Sequence, residues 1–424
     1  MKKIDLLATG LMTFALFLGA GNLIFPPSLG QQAGTALLPA VAGFLITAVG
    51  LPAMTLIVLG RLNSSKNLTR TLPPWMAMGF WVLLLTTVGP AFGMPRAVNV
   101  AYEMGVKPFL SQDYLLPFSL LFCGLTLLLA CKPGRLVDYI GKVMTPILIL
   151  MLVALALAAI INPLASPMPP TGEYLTRPVI SGLIQGYMTM DAIAAVGFGW
   201  VIIRTINSKG VSEPAQVARV SVQVAVIYAL LMSACYIAMG YVGATSMSVA
   251  ADASHGGEIL TLYVAGEFGV YGQWLLAAII LMACLTTTVG LTNACAEYYQ
   301  QTFNTPFAIT ATIVVSLTGI IANFGLEQIL SASLPAILVL CPVAIALVMS
   351  SLFANAATSR TVVFTAMLLG GVDAVSILDK MPQEVDQVLR QALPLYTAHA
   401  SWFVPCLLVL IIGKTKQRLT LATS

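Results

Sequence analysis

The sequence is short of charge. Of its 424 residues only 8% are Asp, Glu, Lys or Arg, against about 25% in average soluble proteins. That is too little to cover a soluble domain of this length. Histidine is almost missing, with only His255 and His399. There is no His-Glu-x-x-His string and no paired-Asp motif, so the residues of a hydrolytic intramembrane enzyme are lacking. The Gly-x-x-x-x-Gly-Lys-Ser/Thr string of an ATP site does not occur, and neither does Thr-Val-Gly-Tyr-Gly, the potassium-filter sequence. Seven cysteines, at 123, 131, 235, 284, 295, 341 and 406, lie in or at the ends of apolar runs with no Cys-x-x-Cys pair. This pattern fits neither a disulfide framework nor a zinc site and reads as small core residues. The net charge of +4 is scattered over loops, which gives no nucleic-acid surface.

What is present is apolar: 58% of the residues are hydrophobic and the mean hydropathy is +0.93. A membrane-crossing helix needs about 20 such residues, so the chain has room for roughly twelve. The expected fold class is an all-α polytopic membrane protein, one transmembrane domain over 1–424. The expected spans are 5–30, 36–60, 76–99, 114–131, 141–161, 178–205, 214–241, 271–299, 306–322, 331–352, 359–377 and 397–413. With the N-terminus inside, 15 of the 20 Lys and Arg fall in cytoplasmic loops or termini, which sets both termini in the cytoplasm. The opening Met-Lys-Lys-Ile-Asp resembles a signal n-region, but the apolar run after it is too long and no small-residue cleavage site precedes Asn22, so it reads as a retained first helix. The longest loop, 242–270, has no Lys or Arg and falls outside. Its residues 257–268 suit a short amphipathic cap.

Two spans carry breaks. In span one, Gly19, Ala20, Gly21 and Asn22 precede Pro26 and Pro27. Glycine weakens a helix by about 1 kcal/mol, proline removes an amide donor, and the Asn22 amide is costly at membrane depth. Opened backbone is tolerated in a bilayer only where protein or a water-filled cavity surrounds it, as at a transporter's binding site. A kink that merely aids packing is the other reading. In span six the run Gly186-Tyr187-Met188-Thr189-Met190-Asp191 sets a carboxylate near the span centre, at a cost of about 2.5–3.5 kcal/mol. Asp191 is a candidate for coupling or gating, with a structural hydrogen bond as the alternative. The two spans are five apart and so cross in opposite senses, as an inverted repeat of five plus five helices requires. The repeats fall at about 5–161 and 178–352, with two extra helices at about 359–413.

In span eight, Ala283, Thr286 and Thr287 share a helical face. The two hydroxyls offer oxygen to a hard cation, or else bond the carbonyls of their own helix. In span three, Arg96, Asn99 and Glu103 share a face. Arg96 and Glu103 are therefore candidates for gating or for a local ion pair.

Gly19-Ala-Gly-Asn-Leu-Ile-Phe-Pro-Pro27, Gly89-Pro-Ala-Phe-Gly-Met-Pro-Arg96, Gly186-Tyr-Met-Thr-Met-Asp191 and Ala294-Cys-Ala-Glu297 together resemble the branched-chain amino acid:cation symporters, the BrnQ-type carriers. The resemblance runs the length of the chain. It implies sodium- or proton-coupled symport of leucine, isoleucine and valine across the bacterial inner membrane, with no other cofactor and no ATPase subunit. At fold level the span-one pattern resembles the LeuT-type transporters. Ala283, Thr286 and Thr287 are similar to those proteins' sodium-holding pattern, and Asn22 matches an Asn of their second sodium site. The substrate is expected at Gly19, Ala20, Gly21, Asn22, Gly186, Tyr187, Met188 and Thr189. The rival readings are an ion channel and a carrier of another small amino acid or a nucleobase-like solute.

Overall fold

The computed structural model describes residues 1–131, 145–353, 355–378 and 380–422. The described chain is helical throughout. Span one is α1 (Lys3–Phe17) and α2 (Ala20–Ala33). Span two is α3 (Leu37–Leu45) and α4 (Leu51–Leu62), joined by a wide helical turn over Ile46–Gly50. Span three is α5 (Pro74–Thr86) and α6 (Gly93–Gly105). Spans four and five are α7 (Leu115–Ala130) and α8 (Thr145–Ile161); the expected start of span five, 141–144, lies outside the described residues. Span six is α9 (Pro178–Tyr187) and α10 (Asp191–Ser208). Then follow α11 (Pro214–Ala244), α12 (Gly256–Phe303), α13 (Phe307–Ala322), α14 (Leu326–Phe353), α15 (Ala356–Ile377), α16 (Gln383–Ala392) and α17 (Phe403–Ala422).

By length and composition, six helical runs among the described residues can cross a bilayer, or seven with α9 and α10 taken as one bent span. Four shorter apolar helices, α7, α8, α13 and the first part of α17, stand at the expected spans four, five, nine and twelve. Large apolar side chains such as Leu120, Leu121, Leu128, Leu150 and Ile161 point outward from α7 and α8. That surface suits lipid and not water.

Spans one and six are both broken, as expected, but span one opens elsewhere than its prolines suggest. Leu18 and Gly19 are the non-helical residues, and Pro26 and Pro27 lie inside α2. The prolines leave the carbonyls of Asn22 and Leu23 without intrahelical donors. Tertiary packing nonetheless keeps α2 helical: ten of its fourteen residues are buried, mainly against α11 and α12. In span six the chain bends by 41° between α9 and α10, and Met190 is held in the left-handed region at φ 70°. Span three is broken too, which the sequence reading did not separate out: Gly89 is non-helical at φ −83°, ψ −117°. The expected cap at 257–268 forms as the first part of α12, set off by Gly269 at φ 58°. Its entry is capped by His255 Nδ1, which accepts from the Glu258 amide at 3.2 Å. The last span begins at Phe403, not 397, because Tyr396–Ala398 forms a short tight turn.

Two close crossings fix the half-helices. A Cβ on Gly30 would lie 1.8 Å from the Gly240 carbonyl oxygen, and one on Gly243 would lie 2.0 Å from that of Pro27, so α2 and α11 touch backbone to backbone. Likewise α3 and α9 meet at Gly43 and Gly182. The end of α1 is clamped by aromatics: the Phe17 ring lies 4.6 Å from Tyr228 and 5.1 Å from Phe198, centroid to centroid. Gly30→Ala forces α2 off α11 and is expected to destabilise the fold by about 3 kcal/mol or more. Gly79→Ala, with nothing within 4 Å, is expected to be neutral or slightly stabilising. Thermal melting of the two purified variants in detergent checks both outcomes.

Candidate functional site

A helix that ends inside a membrane leaves its last carbonyls without amide donors, and lipid supplies none. At the end of α1 side chains supply them. Thr286 Oγ1 donates to the Ala15 carbonyl at 3.0 Å and to its own helix at Ala283, 2.9 Å. Thr287 Oγ1 donates to the Leu16 carbonyl at 3.0 Å. The Phe17 carbonyl accepts from the Gly19 amide at 2.7 Å and from Asn22 Nδ2. The shared face anticipated for Ala283, Thr286 and Thr287 is therefore the face that meets the opened end of α1. The bond to its own helix offered for Thr286 is made, and its one hydroxyl proton is shared between that carbonyl and the Ala15 carbonyl of α1.

Asn22 is buried and also donates to Asp191 Oδ1 at 3.3 Å. Asp191 begins α10, and its other oxygen accepts from the Tyr236 hydroxyl of α11 at 2.8 Å. The Asp191 amide donates to Thr189 Oγ1 at 3.3 Å, and Thr189 Oγ1 donates to the Gly186 carbonyl at 2.8 Å. One carboxylate thus ties both broken spans to α11. Tyr236 was not singled out in the sequence. The signal available was a tyrosine in an apolar span, whose hydroxyl needs a partner when buried.

Arg96 of α6 is 7% exposed. Its Nη2 donates to the Thr189 carbonyl at 3.2 Å, while Nε has no partner. The local pairing with Glu103 raised by the shared face does not form. The two are seven residues apart, about 10 Å along the helix, and the titratable groups near Glu103 are Lys107, His255 and Asp113. Glu103 therefore stands away from the broken spans, whereas Arg96 joins them.

These groups line a cavity of about 40 Å³, walled by Phe17, Gly19, Ala20, Gly21, Asn22, Arg96, Thr189, Asp191 and Thr287 among others. That is room for a water, not for an amino acid. A second, apolar cavity of about 310 Å³ shares Gly21 and Arg96 with the first and is walled by Ile24, Phe25, Met188, Leu330, Leu334 and Ile337. A third, of about 650 Å³, lies between the far ends of α10 and α12, where Arg204 and Glu297 form an ion pair.

Of the residues expected to hold substrate, Gly19, Ala20, Gly21, Asn22 and Thr189 line the central cavity, and Met188 lines the apolar one. Gly186 and Tyr187 line neither. A Cβ on Gly186 would lie 2.5 Å from the Phe44 carbonyl oxygen and 2.3 Å from Thr47 Oγ1, so that glycine serves the contact of α9 with the end of α3 and the turn after it. The Tyr187 hydroxyl is buried, without a hydrogen-bond partner, and faces Cys341 and Trp402.

The chain is similar to known proteins along its length. The profile of the family described as "Branched-chain amino acid transport protein" matches residues 2–420. The system 2 branched-chain amino acid carrier of Pseudomonas aeruginosa is 41% identical over 99% of this chain and 97% of its own length. The Bacillus subtilis permease BraB is 37% identical, covering 96% and 94%. The Escherichia coli K12 permease BrnQ is 35% identical, covering 97% and 95%. Among solved structures, MhsT with L-phenylalanine aligns at TM-score 0.56 and 17% identity, covering 96% of this chain and 98% of that one. A manganese transporter of Eremococcus coleocola aligns at 0.61 and 13%, covering 97% and 95%. These two likenesses show the LeuT-like fold. The curated relatives match along the whole chain and are carriers and permeases, which leaves no place for the enzyme reading. The chain is a multi-pass membrane transport protein and belongs to the branched-chain amino acid transport protein family.

Proposed function

We propose that this protein is a secondary carrier that brings leucine, isoleucine and valine into the cell by symport with sodium. The observation that carries the coupling is the meeting of Thr286 and Thr287 with the opened end of α1, where two hydroxyl and several carbonyl oxygens converge. Hard cations take oxygen ligands. A sodium ion there would draw on the Ala15 and Ala283 carbonyls, the two hydroxyls and the backbone around Gly19. Occupying the site would join α12 to span one, and so link the ion to the break that holds substrate.

The amino acid is held at that break. Its carboxylate lies at the N-terminus of α2, whose first amides have no intrahelical acceptor and whose dipole favours an anion. The aliphatic side chain enters the apolar cavity of Ile24, Phe25, Met188, Leu334 and Ile337. One methylene is worth about 1–3 kcal/mol in such a pocket, so leucine, isoleucine and valine compete. The protein sits in the bacterial inner membrane with both termini in the cytoplasm. The repeats at about 5–161 and 178–352 rock against each other, and the helices of 359–413 brace them from outside. The apolar cavity then faces outward, and the vestibule of Arg204 and Glu297 faces the cytoplasm.

Uptake of labelled leucine into proteoliposomes, with sodium and pH gradients imposed separately, tests this. A sodium gradient alone should drive accumulation; accumulation driven only by a pH gradient would overturn sodium coupling in favour of protons. Thr286→Val and Thr287→Val keep shape and remove one oxygen each. Each should raise the sodium concentration for half-maximal uptake by about tenfold, with leucine affinity at saturating sodium changed much less. Asn22→Ala breaks the bonds to Phe17 and Asp191 and should leave an inserted carrier with under about a tenth of parental uptake; equal uptake would make Asn22 a packing residue only.

A further inference from the structure

Arg96 is a buried guanidinium with an unfilled bonding capacity. A guanidinium carries five N–H donors, and this one makes a single hydrogen bond, to the Thr189 carbonyl, with Nε left over. Isolating a charge from water costs several kcal/mol unless a partner and hydrogen bonds offset it. No carboxylate of the described chain forms an ion pair with it. Asp191 lines the same cavity but is not in ion-pair contact with Arg96. Its oxygens instead take Asn22 and Tyr236. Two oxygens offer about four acceptor sites, so two remain open. The cavity therefore has a cation on one wall and an anion on another, held apart, each with bonding capacity to spare.

We infer that Arg96 and Asp191 bind the two ends of the substrate's zwitterionic headgroup, Arg96 taking the α-carboxylate and Asp191 the α-ammonium. This rests on the reading of the protein as an amino-acid carrier and adds to it the groups that recognise an amino acid as such. The fork of Arg96 matches a carboxylate in two parallel hydrogen bonds and adds a full charge to the partial charge of the α2 terminus. Because Arg96 also lines the apolar cavity, a carboxylate held there leaves the side chain free to extend past Gly21 into it. Gly21 has a specific part in this. A Cβ at that position would lie 2.9 Å from Arg96 Nη2, so the absence of a side chain is what lets the guanidinium lie across the break. The headgroup is net neutral between two opposite fixed charges. The same pair therefore rejects molecules that lack one end: an amino-acid amide has no anion for Arg96, and an aliphatic acid has no cation for Asp191.

The test is ligand-induced thermal stabilisation of purified parent and variants in detergent. The probes are leucine, leucinamide, 4-methylpentanoate and a panel of other neutral amino acids, with leucine uptake measured alongside. The parent should be stabilised by zwitterions and by neither truncated analogue. Arg96→Gln should weaken leucine binding by roughly thirtyfold or more and, with Asp191 left unopposed, bind the cationic leucinamide better than the parent does. Asp191→Asn should show the mirror image, gaining affinity for 4-methylpentanoate. These gains cannot come from a misfolded protein. Gly21→Ala should raise the KM for leucine by displacing the flexible end of Arg96, with a smaller change in kcat. Arg96→Gln with parental leucine affinity and parental rejection of leucinamide would overturn the assignment, as would a parent that binds leucine and leucinamide alike. A parent stabilised best by a zwitterion without a branched side chain, with Arg96→Gln still switching to the corresponding amide, would overturn the branched-chain reading and support the headgroup assignment.

Discussion

Opened backbone inside a membrane has to find hydrogen-bond partners within the protein, and much of this structure follows from that demand. Span one gives up helical bonding at Leu18 and Gly19. Three carbonyls at the end of α1 are met by Thr286, Thr287 and Asn22. Span six opens between α9 and α10, and its Thr189 carbonyl is met by Arg96. Each residue that satisfies the backbone also faces, or flanks, the central cavity. The polar groups that gather at the cavity are thus groups the breaks require in any case.

Packing makes such breaks tolerable. Glycines bring α2 onto α11 and α9 onto α3 at backbone contact, so α2 and α9 are each held by a neighbour and not only by their own ladder. The same contacts explain how α2 accommodates two interior prolines. The other half-helices, α1 and α10, are gripped differently. Phe17 at the end of α1 sits between Tyr228 and Phe198, and α10 buries fourteen of its eighteen residues. The space where the two breaks meet is small, and the apolar cavity and the Arg204–Glu297 cavity are each larger.

The spans were legible because a bilayer imposes a length and a composition that local sequence must meet. The breaks were legible because Gly19, Gly21, Asn22 and Asp191 are costly at that depth, and Thr286 and Thr287 because a helix fixes which residues share a face. That the opening ends at Gly19, leaving Asn22 and both prolines inside α2, was not. It depends on which carbonyls meet donors on α12, some 271 residues later, and sequence displays the prolines without showing those donors. The Glu103 partner offered for Arg96 fails for the same reason. The helical period offers Glu103 as a neighbour, whereas the contact actually made is with Thr189, 93 residues away. Gly186 and Tyr187 belong to the span-six motif but turn to α3 and α14, because adjacent residues at a helix end point to different sides.

The ion pair between Arg204 and Glu297 has an uneven setting: the arginine side chain is 61% exposed and the glutamate 6%. Two solvated partners would contribute less than about 1 kcal/mol, but losing the arginine here would leave Glu297 a buried charge without a partner, at a cost of several kcal/mol. Its Oε2 already has no hydrogen bond. The fastening between α10 and α12 is therefore one that salt loosens little, because a half-buried pair is screened less than an exposed one. Parting the two helices there requires water or another donor to reach Glu297 first.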